Sequence, residues 1–169
     1  MAANDLLATA LLPVPPAANA ATLSFRAGGS TPNEAFPIWE FDASADEYLD
    51  LHGALSPRYT GAALKVRLPW IAASATSGNC IWNAAFRRLD TGEDLDASHS
   101  YSVQAVTTAA PGTNGAPAYS EIAFSAAQID SLAAGEAFVL RISRDADNGS
   151  DTMTGDAQLL AHGVQVIET

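Results

Sequence analysis

Basic side chains are scarce. The 169-residue chain carries 8 Lys and Arg against 19 Asp and Glu, a formal net charge of -11. No Lys or Arg stands before Arg26, between Arg88 and Arg141, or after Arg144. Such a surface repels phosphate backbones and argues against a nucleic-acid partner. It equally disfavours docking on anionic membranes. Cysteine is limited to Cys80, which rules out an internal disulfide. Its neighbours Ile81 and Trp82 mark it as a buried strand thiol, with no local base to activate it. Long apolar runs are also missing, so no stretch has the length of a membrane-spanning helix.

Residues 1–20 superficially fit a secretory leader. They lack the positive n-region such a leader needs, and Pro13, Pro15 and Pro16 interrupt the apolar stretch, so a leader is not expected here. Leu6, Leu7, Leu11, Leu12 and Val14 would fray unless something holds them. Two readings stand: the segment packs on its own domain, or it forms an extended arm lying on a neighbouring subunit. The division expected is an N-terminal arm at 1–20 and a single domain at 21–169.

What is present suits many short strands. Hydrophobic residues make up 48% and charged residues 16%, which supports a folded core, and Gly and Pro punctuate the whole chain. Strands are expected at 21–26, 36–41, 47–52, 63–70, 78–89, 101–107, 119–124, 136–143 and 158–168. The clearest alternates Leu64, Val66, Leu68 and Trp70 on one face with Lys65 and Arg67 on the other. Cys80, Trp82, Ala84 and Phe86 share a face. So do Phe138, Leu140 and Ile142, with Arg141 pointing outward. Residues 108–118, rich in Gly and Pro, form a loop. One short helix is expected over 125–132, where Ser125 and Gln128 can form a capping box and Gly135 stops the run. No βα alternation appears. The fold class is therefore all-β, an antiparallel β-sandwich of jelly-roll type with one short helix and an extended N-terminal arm.

Chemistry-bearing patterns are thin. His52, His99 and His162 sit in separate segments without metal-ligand spacing. Nucleophile-elbow, phosphate-loop and zincin motifs are absent. Asp145, Asp147 and Asp151 lie close enough in sequence to offer oxygens to Ca²⁺, but the EF-hand pattern fails, and Asp, Asn and Gly also fill tight turns for backbone reasons. The acidic run 90–96 reads as a solvated turn. Trp39, Trp70, Trp82, Tyr48 and Tyr119 could make a sugar-stacking platform, although Trp70 and Trp82 fall on apolar faces. No residue is assigned as catalytic, cofactor-binding or metal-binding, no cofactor is implied, and an enzyme is not expected.

A set of motifs resembles a sandwich module of structural proteins from tailed bacteriophages. They are Phe41-Asp42, Leu64–Trp70, Gly78–Trp82, Phe124–Asp130, Arg141–Asp145 and Asp151-Thr152. The resemblance spans roughly residues 36–168 and implies a virion protein with no catalytic residues to carry over. It points first to a capsid cement or decoration protein bridging subunits of the major capsid protein on the head surface. The alternative is a tail-fibre or collar module that recognises a surface glycan. Open sheet edges favour a homo-oligomer, with a trimer implied by the likeness to cement proteins.

Overall fold

The computed structural model describes residues 5–169. Twelve strands follow one another among these residues: β1 (Asp5–Ala8), β2 (Leu12–Val14), β3 (Thr22–Gly28), β4 (Glu34–Phe41), β5 (Glu47–Ala54), β6 (Leu64–Ala72), β7 (Asn79–Leu89), β8 (Gln104–Ala109), β9 (Pro117–Phe124), β10 (Ala137–Arg144), β11 (Ala157–Leu159) and β12 (Gln165–Glu168). They build two antiparallel sheets. One has seven strands in the order β1-β12-β6-β11-β4-β3, with β9 on the other side of β6; the second has five, β2-β5-β10-β7-β8. This is the expected antiparallel sandwich.

The alternating strands meet between the sheets. Leu64, Val66, Leu68 and Trp70 of β6 face Cys80, Trp82, Ala84 and Phe86 of β7 and Phe138, Leu140 and Ile142 of β10 across one buried cluster. Its centre is aromatic. Trp82 packs edge-on to Phe41 at 5.0 Å and to Trp70 at 5.9 Å, and Phe86 does the same with Phe124 at 5.0 Å. Edge-to-face pairs of this kind add about 0.5–1.5 kcal/mol each beyond the area they bury. Trp70 keeps its polar handle satisfied by donating Nε1–H to Ser120 Oγ at 2.9 Å.

Two expectations need correction, and of the two readings of residues 1–20 the described part, residues 5–20, follows the first: it packs on its own domain as an extended, paired segment. β1 pairs with β12 and β2 pairs with β5, so the segment crosses from one sheet to the other. Leu7 and Leu11 are buried by this crossing. Leu11 occupies the space above Gly53, where an added Cβ would lie 2.4 Å from Leu11 Cδ2.

The single strand expected over 158–168 is two. β11 pairs with β6 from Trp70 to Ala72 and β12 pairs with it from Leu64 to Arg67. Between them stands Pro69, which has no N–H to give a ladder. Its carbonyl accepts from Leu160 N–H at 2.9 Å, and the chain leaves the sheet in a 3₁₀ turn over Ala161–Gly163. The expected helix over 125–132 is one 3₁₀ turn, Ala126–Gln128. The reach-back of the capping box is present, with Gln128 Oε1 accepting from Ser125 N–H at 2.8 Å. Asp130 and Ser131 then both adopt positive φ of 56°, which lets Ile129 and Leu132 turn into the core. So short a segment cannot offset helix nucleation by itself, and burial of those two side chains decides its path.

Candidate functional site

The inward faces of the strands are spent on the core, so a site must lie on an outer face or on loops. Register writes the outer face of the five-stranded sheet in rows. Tyr48 of β5 stands opposite Ser143 of β10, and Ser143 stands opposite Asn83 of β7. One step along, Asp50 stands opposite Arg141, and Arg141 opposite Ala85. Tyr101, from the irregular segment before β8, covers this second row. Tyr48, Asn83, Arg141 and Tyr101, with Val103, line a shallow cleft of about 130 Å³ floored by the small, buried Ala85 and Ser143; Asp50 stands behind Arg141, outside the lining.

Arg141 is the fixed point of the cleft. Its Nε–H and Nη2–H donate to Asp50 Oδ1 and Oδ2, both at 2.8 Å, a two-pronged pairing that holds the guanidinium plane still. The guanidinium lies 4.8 Å from the centre of the Tyr101 ring and 5.9 Å from that of Tyr48. The Asp50 hydrogen bonds raise the Arg141 pKa above its ordinary value, against burial, so the group is a permanent cation whose charge Asp50 cancels. Burial raises the Tyr101 phenol, while Arg141 and Arg87 pull it the other way; the net direction is up. Tyr101 is a neutral hydroxyl on a braced ring. His99 adds to the bracing, packing edge-on to it at 4.7 Å. Among the described residues, the side-chain amide of Asn83 and the hydroxyl of Ser143 have no hydrogen-bond partner. The cleft thus offers two aromatic rings, open donors and acceptors, and no net charge.

The acidic turn is rearranged relative to its sequence window. Asp151 points inward, where Arg144 donates to it from Nε at 3.0 Å and Nη2 at 2.8 Å, with both side chains fully buried. Asp145 and Asp147 instead meet Asp46, and one oxygen from each of the three lies within 4.8 Å of the others. Asp46 Oδ1 accepts from Ala146 N–H at 2.8 Å, which holds the two turns together. The three carboxylates are the donor type a hard cation takes, and they lie at the end of the outer face beyond Tyr48 and Ser143. A Ca²⁺ set made of Asp145, Asp147 and Asp151 is not formed.

The five aromatics do not share one platform. Trp70 and Trp82 belong to the core, as their apolar strand faces indicated, and Trp39 joins them there. Tyr48 lies on the outer face just described. Tyr119 lies on the outer face of the other sheet, under Arg67 at 4.1 Å. The three histidines stay apart from any three-ligand group among the described residues. His52 is on β5 opposite Leu12, His99 lies 3.4 Å from Asp130, and His162 sits in the second 3₁₀ turn. Cys80 is buried as expected, and burial pushes its thiol up to about 12. The acidic run 90–96 is a turn, with Glu93 taking Arg87 at 3.2 Å. Sequence reasoning missed Tyr101, Asn83, Asp50 and Ser143. The signal for Asn83, Asp50 and Ser143 was the polar member of each alternating strand, a residue kept off the core face; Tyr101, outside any strand, gave none.

The chain is an antiparallel jelly-roll β-sandwich. No protein-family model matches it, and no curated protein does. Solved structures do. The CBM22-1 xylan-binding domain of Paenibacillus barcinonensis Xyn10C is similar with a TM-score of 0.52 at 10% identity, over 98% of this chain and 96% of that one. A carbohydrate-binding module, CBM6cm-2, from Cellvibrio mixtus lichenase 5A in complex with cellotriose covers 98% of this chain and 99% of its own, at 9% identity and a TM-score of 0.46. At these identities the likeness is one of fold.

Proposed function

We propose that this protein is a non-catalytic binding module that recognises a neutral glycan through the outer face of its five-stranded sheet. The observation that carries the reading is the Tyr101–Arg141–Asp50 arrangement. A sugar ring needs an apolar face to lie on and fixed hydrogen-bonding groups around its edge. Here Tyr101 and Tyr48 offer the rings, while Asn83, Ser143 and the braced Arg141 supply the edge contacts. A cleft smaller than the ~300 Å³ at which drug-sized pockets begin suits a ring or two of a chain rather than an enclosed ligand. Asp50, the carboxylate of these rows, is tied to Arg141 and so is poorly placed to act as one of a pair of catalytic acids.

This is the second of the two readings that the phage resemblance implies, and on that resemblance it suits a tail or collar component. The first reading, head cement gripping the major capsid protein, loses one of its arguments, an arm free to lie on a neighbour, because β1 and β2 are stitched into the chain's own sheets.

The test is binding of the full chain to a panel of neutral and acidic oligosaccharides, followed by calorimetry on those retained. Tyr101→Ala is expected to weaken binding about tenfold or more, the effect of truncating an aromatic anchor. A chain that retains no neutral glycan, or a Tyr101→Ala variant that binds as the parent does, overturns the proposal.

A further inference from the structure

Charge pairing singles out one arginine on the opposite face of the molecule. Seven of the 8 basic side chains stand within 3.8 Å of a carboxylate: Arg58, Lys65, Arg67, Arg87, Arg88, Arg141 and Arg144. Among the described residues Arg26 alone has no such partner, in a chain with 19 acids to offer. Its guanidinium is nevertheless held in place. Nη1–H donates to Gln158 Oε1 at 2.8 Å, and Nη2–H donates to Asn114 Oδ1 at 3.1 Å. Gln158 is itself buried and is oriented by donating to Glu40 at 3.0 Å. A further contact from Nη1 reaches Ala73 O at 3.5 Å. All these acceptors are neutral. A guanidinium has five N–H donors, and Nε–H among them has no protein acceptor here.

The surroundings form a cleft of about 430 Å³, inside the range of about 300–1,000 Å³ usual for ligand sites. Arg26 and Phe36 are neighbours across the β3–β4 ladder. Ile71 forms an apolar floor, and Pro117 and Leu160 form the walls. Two glycines keep the space open. A Cβ on Gly28 would meet the Phe36 ring at 3.0 Å, and one on Gly115, at φ of 83°, would meet Arg26 Nη2 at 3.1 Å. Phe36 remains 40% exposed, with its ring free to receive a ligand face. Asn114 turns its oxygen to Arg26, which leaves its NH₂ group open as a donor.

We infer that this cleft is a second binding site, for a sugar ring bearing a carboxylate, of the uronic-acid class. The carboxylate pairs with the free edge of Arg26. The ring lies against Phe36, and a hydroxyl accepts from the Asn114 amide. The contrast with Arg141 makes the selectivity. Asp50 already cancels Arg141, so the first face takes neutral ligands, whereas Arg26 is an oriented, uncancelled cation that an anion completes. The inference stands on Arg26 and its cleft, independently of the first face.

The experiment is titration of the full ¹⁵N-labelled chain with glucuronate, glucose, acetate and a short Asp/Glu peptide, followed by NMR. Saturable shifts at Arg26 Nε–H, the Asn114 side-chain amide and Gly115 N–H with glucuronate are expected, with glucose and acetate far weaker. Arg26→Gln should weaken glucuronate about tenfold or more, as for loss of a hydrogen bond to a charged group. Phe36→Leu, which leaves every Arg26 bond in place, should weaken it too. Tyr101→Ala should leave it unchanged. Equal response to glucose, an acetate response as strong as that to glucuronate, tighter binding of the peptide, or indifference to both Arg26→Gln and Phe36→Leu overturns the assignment.

Discussion

Replacing Asp151 by Ala should be among the most damaging single changes in this chain. Asp151 accepts three hydrogen bonds: two from Arg144, at 3.0 and 2.8 Å, and one from Ile81 N–H at 2.9 Å. Its removal strands a fully buried guanidinium with carbonyl partners alone, Gly155 O and Met153 O at 2.8 Å each and Phe41 O at 3.5 Å. Burial works against the charged form of Arg144, and the Asp151 hydrogen bond reverses that, so that its pKa lies above the ordinary value. Breaking a buried pair by deleting one partner costs about 3–5 kcal/mol, because the survivor's desolvation is no longer offset. A domain holds about 5–15 kcal/mol in total, and in one of this size the loss lowers Tm by roughly 6–20 °C. The assay is thermal and urea unfolding followed by tryptophan fluorescence, with Asp147→Ala as control. Asp147 is exposed, and its loss should stay within about 0.5 kcal/mol. If Asp151→Ala loses less than about 1 kcal/mol, or Asp147→Ala costs as much, the inward assignment of Asp151 is wrong.

Gly53→Ala should cost about 1–3 kcal/mol by forcing Leu11 off the sheet, and it should open residues 5–14 to proteolysis; unchanged protection of that segment would contradict the packing. Cys80 should resist thiol reagents at pH 8 in the folded chain and react at once in denaturant, since burial holds its thiol near 12; rapid native labelling would refute this. Glu168 and Asp42 are held below the carboxylate range, chiefly by hydrogen bonds from the Thr60 and Ser44 side chains respectively. With folded values below unfolded ones, their contribution is complete above the ordinary carboxylate pKa of about 4 and is lost as pH falls through the folded values. Glu47 runs the other way, because burial raises it and its contribution fades as pH rises. Urea unfolding from pH 2 to 6 should therefore show a shallower acid limb in Glu168→Gln than in the parent, and an identical limb would remove Glu168 from the account.

The sandwich was legible wherever one strand face is spent on the core. The alternation in β6, β7 and β10 follows directly from burying Leu64, Trp82 or Leu140 while Lys65, Asn83 and Arg141 stay out. What eluded sequence reasoning depends on partners far along the chain. The break between β11 and β12 is set by Pro69 on a strand about ninety residues earlier. Asp145 and Asp147 look like partners of Asp151, yet their neighbour is Asp46, because β5 and β10 run side by side and bring the ends of both into contact. The cleft on the five-stranded sheet is harder still to foresee. Tyr48, Ser143 and Asn83 form one row only in the observed register, and a slip of one residue would turn all of them inward. Tyr101 lies outside any strand and carries no periodic signal.

The two arginines show how little of a binding surface is written in residue type. Arg141 and Arg26 are both half-buried, both immobilised by hydrogen bonds, and both flanked by aromatic rings. One is opposite an aspartate in the ladder and the other opposite a phenylalanine. That difference leaves Arg141 in a neutral ion pair and Arg26 a cation without a carboxylate partner, the basis of the anion site inferred above. The surplus of acids sharpens the distinction. A net charge of -11 repels polyanions at distances where single contacts are not felt, so a polyanionic chain approaches this molecule at a disadvantage that grows as salt is lowered. Only a carboxylate close enough to touch Arg26 gains more than that field takes away. The same field exerts no net force on an uncharged ligand, so the glycan proposed for the Tyr101 face, where Asp50 cancels the charge of Arg141, would approach without that disadvantage.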